Sequence, residues 1–518
     1  MNKFLKWSIA LGFLIIGGYL IAQWQMKVQV IDFLNKKIPN HIDFAYDNLT
    51  VNLLKGNLHF NEIEVVSLGK QTSSCEIMVS AQQLSISGFS YWNLFINKSI
   101  HVKSLHLLQP DLKFKTCSKD NGDGNTNQAN PIKLLKEIYI DEVVLKSGKV
   151  SILNAKEDKE LLSVAAIDVQ LNEITTNPEI ITEYIPFRFS DYHITVNELN
   201  APLGNFEQLH MGSITLNSST IEVADIVLNT TLSKKALSQK IRVQRDHIDL
   251  QIPGIKITDH TYKRQNDTLQ VNFATMSLNT PILEVYRDKS KLEDFTRKPL
   301  YAEMLRNLPF HINIDATTIT EATIIYEENI PNEVKAGALS FEQLNASIDH
   351  LSNIKNSGDN VDIKIESDLM GAGKFNLNWK FNVHDEHNRF VISGGLSNFK
   401  TERLNEFLTP NLRTQTTGTI DQMYFTISGD DYTANGDIKM NYEDFKFQVL
   451  DKERKGVKKI LSFIGNLFIN DGSKADEDGF RYGTISTERI QHKSFFNYLW
   501  ISLQDGLLDV LTGSGKKE

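Results

Sequence analysis

A chain of 518 residues is too long for one ordinary domain. Its 41% hydrophobic and 23% charged residues are the proportions of a chain that folds, not of a disordered one. A net charge of -9 with no basic stripe to neutralise phosphates excludes a general nucleic-acid role.

The first element is the most apolar. Residues 4–24 read FLKWSIALGFLIIGGYLIAQW, with Lys6 as the single charge. About 20 such residues are what a helix needs to cross a bilayer. Phe4, Trp7, Leu11, Phe13, Leu14, Ile15, Ile16, Leu20 and Trp24 form the apolar surface. Trp7, Tyr19 and Trp24 fall near the two ends, where aromatic rings prefer the interface. A cleaved signal peptide is the competing reading. Its apolar stretch is usually shorter, and Leu20 stands two before Ala22 where a small residue is wanted. We read residues 1–26 as a retained membrane anchor, with a short helix running on from it over residues 30–38. Lys3 and Lys6 on one flank and Lys27, Lys36 and Lys37 on the other leave the orientation open.

The chain after the anchor is mainly β. Apolar and polar residues alternate with period two through an N-terminal β-region (27–118), a central one (131–290) and a C-terminal one (309–450). Phe375, Leu377, Trp379 and Phe381, a polar turn over His384 to Asn388, and Phe390 onward predict a hairpin. One spacing occurs four times. It is set by Val102, Leu105, Leu107, Pro110, Leu112 and Phe114. Ile140, Val143, Leu145, Gly148, Val150 and Ile152 repeat it, as do Met211, Ile214, Leu216, Ser219, Ile221 and Val223. Ile314, Thr317, Ile319, Ala322, Ile324 and Tyr326 make the fourth copy. Each copy is a strand, a small or turn-forming breaker, and a second strand, as a bulge or bend requires. Their uneven intervals argue against a propeller or a solenoid of fixed period.

Residues 119–130 (KDNGDGNTNQAN) form a polar linker, and residues 470–479 a second. Cys75 and Cys117 can pair in an oxidising compartment, closing a loop of about 40 residues, or remain two buried thiols. Helices are few. One is expected over the insert 291–308, with Pro299 kinking or starting it. Two more are expected in an amphipathic tail (451–518): one carries Val457, Ile460, Leu461, Ile464 and Leu467, the other starts at Phe495. The aromatic last helix either dips into a membrane or partner, or packs on the body.

No catalytic motif stands out. His384 and His387 flank Asp385 and Glu386 without the His-Glu-x-x-His order, and Gly513 to Lys516 imitates a phosphate loop with no strand before it. No Gly-x-Ser-x-Gly elbow occurs, so no metal, cofactor or covalent chemistry is expected.

A lone N-terminal anchor, the strand–Gly–strand opening YDNLTVNLLKGNLHFNEIEV (Tyr46 to Val65), the V-x-x-L-x-L-x-x-P-x-L-x-F unit and an aromatic helix after GTISTERI together resemble the AsmA-like envelope proteins of Gram-negative bacteria, the group that includes TamB-type proteins. The resemblance implies an elongated, curled antiparallel sheet forming a β-groove with an apolar concave face. It implies a single-pass tether in the bacterial inner membrane, a body in the periplasm, and a part in phospholipid passage to the outer membrane. In that reading Val102, Leu105, Leu107, Leu112, Phe114, Ile140, Val143, Leu145, Val150, Ile152, Ile214, Leu216, Ile221 and Val223 line the groove, and the ligand is membrane phospholipid. From the residues alone, the same apolar faces can equally form the core of stacked sandwiches. An envelope assembly factor that holds partner proteins through its sheet edges is the alternative function.

Overall fold

A computed structural model of the protein describes residues 3–37, 42–68, 76–116, 136–154, 157, 159–183, 185–265, 268–331, 335–355, 360–450 and 475–512. Cys75, Cys117, the linker 119–130, the helix expected over 457–468 and the glycine-rich 513–516 lie outside them. Strands make up 61% and helices 17% of the described residues, so among them most sheet surface has no helix to cover it. The chain divides into two compact units, Met1–Asn205 with Leu209–Ser218, and Phe206–Gln208 with Ser219–Glu518.

The first unit opens with α1 (Lys3–Lys37), 35 residues long. Its strands are β1 (Ile42–Ala45), β2 (Asn48–Asn52), β3 (Asn57–Leu68), β4 (Glu76–Ser87), β5 (Ile100–Leu108), β6 (Asp111–Lys115), β7 (Ile138–Leu153), β8 (Glu160–Thr176), β9 (Asp191–Leu203) and β10 (Glu207–Asn217). The N-terminal expectation holds for the helix as a backbone element; among the described residues, no helix is long and apolar enough to cross a membrane. Side chains of α1 are described from Ile15 to Asp32, which leaves Phe4, Trp7, Leu11, Phe13 and Leu14 outside. Ile15, Ile16, Leu20 and Trp24 are exposed. Farther along, Met26, Val30 and Ile31 pack on a small core of Leu49, Val51, Phe60, Ile63 and Ala81.

The second unit contains β11 (Thr220–Thr230), α2 (Lys234–Lys240), β12 (Asp246–Thr258), β13 (Thr261–Gln265), β14 (Thr268–Asn279), β15 (Ile282–Asp288) and α3 (Tyr301–Arg306). It continues through β16 (His311–Asn329), β17 (Gly337–Ser352), β18 (Val361–Leu369), β19 (Gly373–Phe381) and β20 (Phe390–Lys400). It ends with α4 (Asn405–Leu412), β21 (Thr414–Gly429), β22 (Thr433–Val449), β23 (Arg481–Glu488) and α5 (Phe495–Thr512). The hairpin β19–β20 and the start of α5 at Phe495 agree with the sequence. The insert does not: only Tyr301–Arg306 is helical. Pro299 removes a backbone donor, Leu300 is extended at the N-cap, and the Asp294 carboxylate turns the chain by accepting from the Thr296 N–H and hydroxyl.

The sheets are mixed, not purely antiparallel. In the first unit β4 pairs antiparallel with both β5 and β6, which together run parallel to β7. In the second, β12 pairs antiparallel with β14 and β15, which run parallel to β16. Parallel neighbours need a crossover of a dozen or more residues; in the second unit residues 289–310, between β15 and β16, supply it. Among the described residues the other pairings between these strands are antiparallel, as in β7–β8–β9 and β16 to β23, and a single parallel bridge joins Val243 to Leu292.

Candidate functional site

The breakers of the repeated spacing are bends and bulges. Gln109, at φ 49°, and Pro110 separate β5 from β6. Beside them Ser147, at φ 54°, and Gly148 bulge out of β7, and the Ser147 N–H donates to the Asp168 carboxylate at 2.8 Å. The Gln109 N–H donates to Lys146 O at 2.8 Å and the Lys149 N–H to Pro110 O at 2.7 Å, so bend and bulge lock together. Gly148 has no alternative here, because a Cβ would lie 2.7 Å from Leu145 Cδ2 and 2.9 Å from Ile167 Cγ2. The second unit repeats the arrangement. Thr280 donates to Thr320 O and Thr323 to Pro281 O across the β14–β15 bend, with Glu321 at φ 53° in the bulge of β16.

That bend reveals a fifth copy that the sequence reading passed over. Phe273, Met276, Leu278, Pro281, Leu283 and Val285 carry the spacing of Val102 to Phe114. The signal was the proline at its fixed position between the two short apolar runs.

Register places the apolar residues of the first unit in rows on one face. Leu49, Phe60, Leu84, Leu107, Leu145, Val169 and Ile194 are successive cross-strand partners. Val51, Leu58, Ile86, Leu105, Val143, Leu171 and Tyr192 form a second row on the same strands. Beyond the bend run Phe44, Val65, Val79, Leu112, Val150, Val164 and Leu199, and then Ile77, Phe114, Ile152 and Leu162. Val102 and Ile140 align with Ile174 at the other end.

The cover over these rows is uneven. The α1 cluster reaches Leu84 and Leu107. Of the fourteen candidate lining residues, Val102 is buried and the other thirteen are half-buried. Ile214 and Leu216 lie on β10 in the first unit, whereas Ile221 and Val223 lie on β11 in the second and pair with Ile257 and Ile255. Side chains in this state retain only part of the roughly 1.5–3 kcal/mol that full burial of an aliphatic residue contributes.

The far part of the second unit is packed differently. There the row Ile255, Leu278, Ile319, Ala346, Ile365, Leu377, Gly394, Phe425, Ile438 and Gly483 ends under α5, which packs on β22 and β23. Val361, Ile392, Ile427, Met440 and Val510 are fully buried. Phe495 stacks on Trp379 with ring centroids 4.5 Å apart. Gly483 lets the helix approach, since a Cβ would lie 2.5 Å from Gly506 O. The carboxylates of Asp505 and Asp509 accept from the backbone N–H groups of Ser486 and Thr484 at 2.8 and 2.7 Å, so α5 also caps free donors of β23. A polar clasp holds its leading end. Arg489, whose side chain is fully buried, donates to Asp431 at 2.7 Å; Asp431 also accepts from Asn388 at 2.6 Å, and Arg297 binds Glu303 through two hydrogen bonds of 2.8 and 2.7 Å. The aromatic helix is thus packed on the body, and it is α5 that covers the apolar face here.

The His384 ring meets Ile354 O at 3.0 Å in the β19–β20 turn. Among the described residues no group of three or more His, Cys, Asp or Glu side chains is arranged to hold a metal ion. No family model matches the chain, and no curated protein matches its sequence.

Proposed function

We propose that the protein is a single-pass, membrane-tethered envelope protein that binds phospholipid acyl chains along the apolar rows of β4 to β9. The supporting observation is the contrast in cover. The α1 cluster covers this face over β2 to β4 and as far as Leu107, whereas most row residues from β5 onward are half-buried, with Val102, Val164 and Ile174 buried among them. An acyl chain laid across such rows gains about 0.8 kcal/mol for each methylene it buries. The exposed apolar residues Ile15, Ile16, Leu20, Ile21 and Trp24 of α1 then face lipid, and the helix delivers the start of the rows to the bilayer surface. Placement in the inner membrane with the body in the periplasm, and a role in phospholipid passage, rest on the resemblance to AsmA-like proteins. The alternative, partner capture through sheet edges, is disfavoured at β23, where Asp505 and Asp509 already occupy edge donors.

Mass spectrometry of lipid retained by the purified full chain tests the proposal. Phospholipid in stoichiometric amount, lost from a variant with Val143→Glu and Val169→Glu, is the expected result. Protein free of lipid, or lipid retained undiminished by that variant, defeats it.

A further inference from the structure

Two short segments of the first unit put large apolar side chains into solvent at one place. Leu54, in the turn between β2 and β3, is 83% exposed, and Trp92 and Phe95 are 69% and 73% exposed. Ile96, beside them, is also exposed. The segments are bound together. The Phe89 N–H donates to Gly56 O at 3.0 Å, and the Gly88 N–H to the Asn57 side chain at 3.1 Å.

This projection is built, not frayed. Asn93–Asn97 form a π-helical turn closed by Lys98 at φ 56°. The Leu94 N–H donates to Ser90 O, the Ser90 N–H to His101 O and the Ser99 N–H to Asn93 O. The Asn93 amide meets one ring nitrogen of His101 at 3.1 Å while the other meets Asp141 at 2.7 Å, tying the turn to β5 and β7. A sequence that fixes its backbone this firmly and still exposes three apolar side chains on one turn gains nothing from them in folding.

Charge and position indicate what they meet. Residues 53–57 and 88–99 include Lys55 and Lys98 and no carboxylate, in a chain whose net charge is -9. Burial, and to a lesser degree the Tyr19 phenol of α1, raises the pKa of Tyr91, next to Trp92. Gln23 of α1 donates to Val51 O in β2, just before the Leu54 turn. The projection therefore stands beside α1 at the level of Tyr19 to Trp24, where the helix leaves the sheet. Aromatic and aliphatic side chains flanked by lysines match the headgroup layer of an anionic membrane.

We propose that Leu54, Trp92, Phe95 and Ile96 form an interfacial spur that seats in the headgroup layer of an anionic phospholipid bilayer beside the entry point of α1. The inference rests on the reading of α1 as an anchor. With two contacts in place of one, the first unit meets the bilayer in a fixed orientation, and the start of its apolar rows stays at the lipid surface.

The full chain, with Cys75→Ser and Cys117→Ser, takes an environment-sensitive fluorophore at Phe95→Cys, Ile15→Cys or Leu161→Cys. Each protein is reconstituted into vesicles of phosphatidylcholine and phosphatidylglycerol carrying a lipid-borne quencher at shallow depth. The Phe95 label loses most of its emission and shifts to the blue, whereas the Leu161 label, on exposed β8, does neither. Lys55→Glu with Lys98→Glu restores emission at Phe95 and leaves Ile15 quenched. A Phe95 label as bright as the Leu161 label, with Ile15 quenched, overturns the spur alone and leaves the patch to a protein or a second copy. Bright labels at both Phe95 and Ile15 overturn the anchor and the spur together.

Discussion

Replacing Val143 by glutamate sets a carboxylate in the middle of the second apolar row, between Leu105 and Leu171. Val143 is half-buried, so the change forfeits about 1 kcal/mol of apolar burial, and up to about 1 kcal/mol more in strand preference. The new charge keeps its water if the face is open. The total is about 1–2 kcal/mol, which in a unit of some 200 residues shifts the melting temperature by roughly 2–8 °C. The matched substitution Ile392→Glu acts on a side chain with no exposure at all. There the apolar loss comes on top of an unpaired buried charge, and the cost rises to about 4 kcal/mol or more. Thermal and urea unfolding of both variants, each followed by a fluorophore in its own unit, reads the difference. Val143→Glu should leave its unit folded and reduce retained lipid, while Ile392→Glu should unfold its region under mild conditions. Equal, severe destabilisation by both would refute the reasoning, since it would mean that the rows of the first unit are a sealed core.

Asp505→Ala with Asp509→Ala frees the Ser486 and Thr484 donors, each held by a charge-assisted bond of a kind that contributes about 1.5–3 kcal/mol; hydrogen exchange at both amides should accelerate, and self-association measured by ultracentrifugation should increase through the uncovered edge. Gly148→Val drives its side chain against Leu145 and Ile167, so a loss of about 1–3 kcal/mol is expected, with chemical-shift changes centred on the β6–β7–β8 bulge. Hydrogen bonds from Arg297 hold the Glu303 pKa below the ordinary carboxylate value. Its contribution is complete above the unfolded value of about 4.3 and is lost as pH falls toward the lower folded value. The acid limb of the stability curve should accordingly flatten in Glu303→Gln, and an unchanged limb would count against the clasp.

The sequence made some of this legible and concealed the rest for identifiable reasons. Alternation is a local property, so the strands carrying Leu105 and Leu107, Val143 and Leu145, and Phe375 to Phe381 could be read directly. So could the breakers Pro110 and Gly148 and the start of α5. Which strand lies beside which is not local: nothing in Val102 to Phe114 announces a parallel partner after a long crossover. Polar residues in left-handed conformations, such as Gln109, Glu321 and Gln343, escaped notice because their types do not mark a bulge as glycine does. The insert misled through its leucines and phenylalanine. Leu292 and Phe295 follow helical spacing but are 72% and 74% exposed on a non-helical segment. Nothing in the sequence sets Trp92, Phe95 and Ile96 apart from core residues; only their exposure does.

The recurrence of a strand broken at proline, a long excursion and a bulged parallel partner has a bearing on ancestry. In both occurrences the partner strand offers its far side to an ordinary antiparallel neighbour, β8 or β17. Each block is therefore complete within itself and hands on a generic edge. Tandem copying of its coding segment would lengthen such a protein by whole increments without rewriting the blocks on either side, in the manner of other nearest-neighbour architectures. Divergence would then act freely on the connecting segments, such as the α3-bearing residues 289–310.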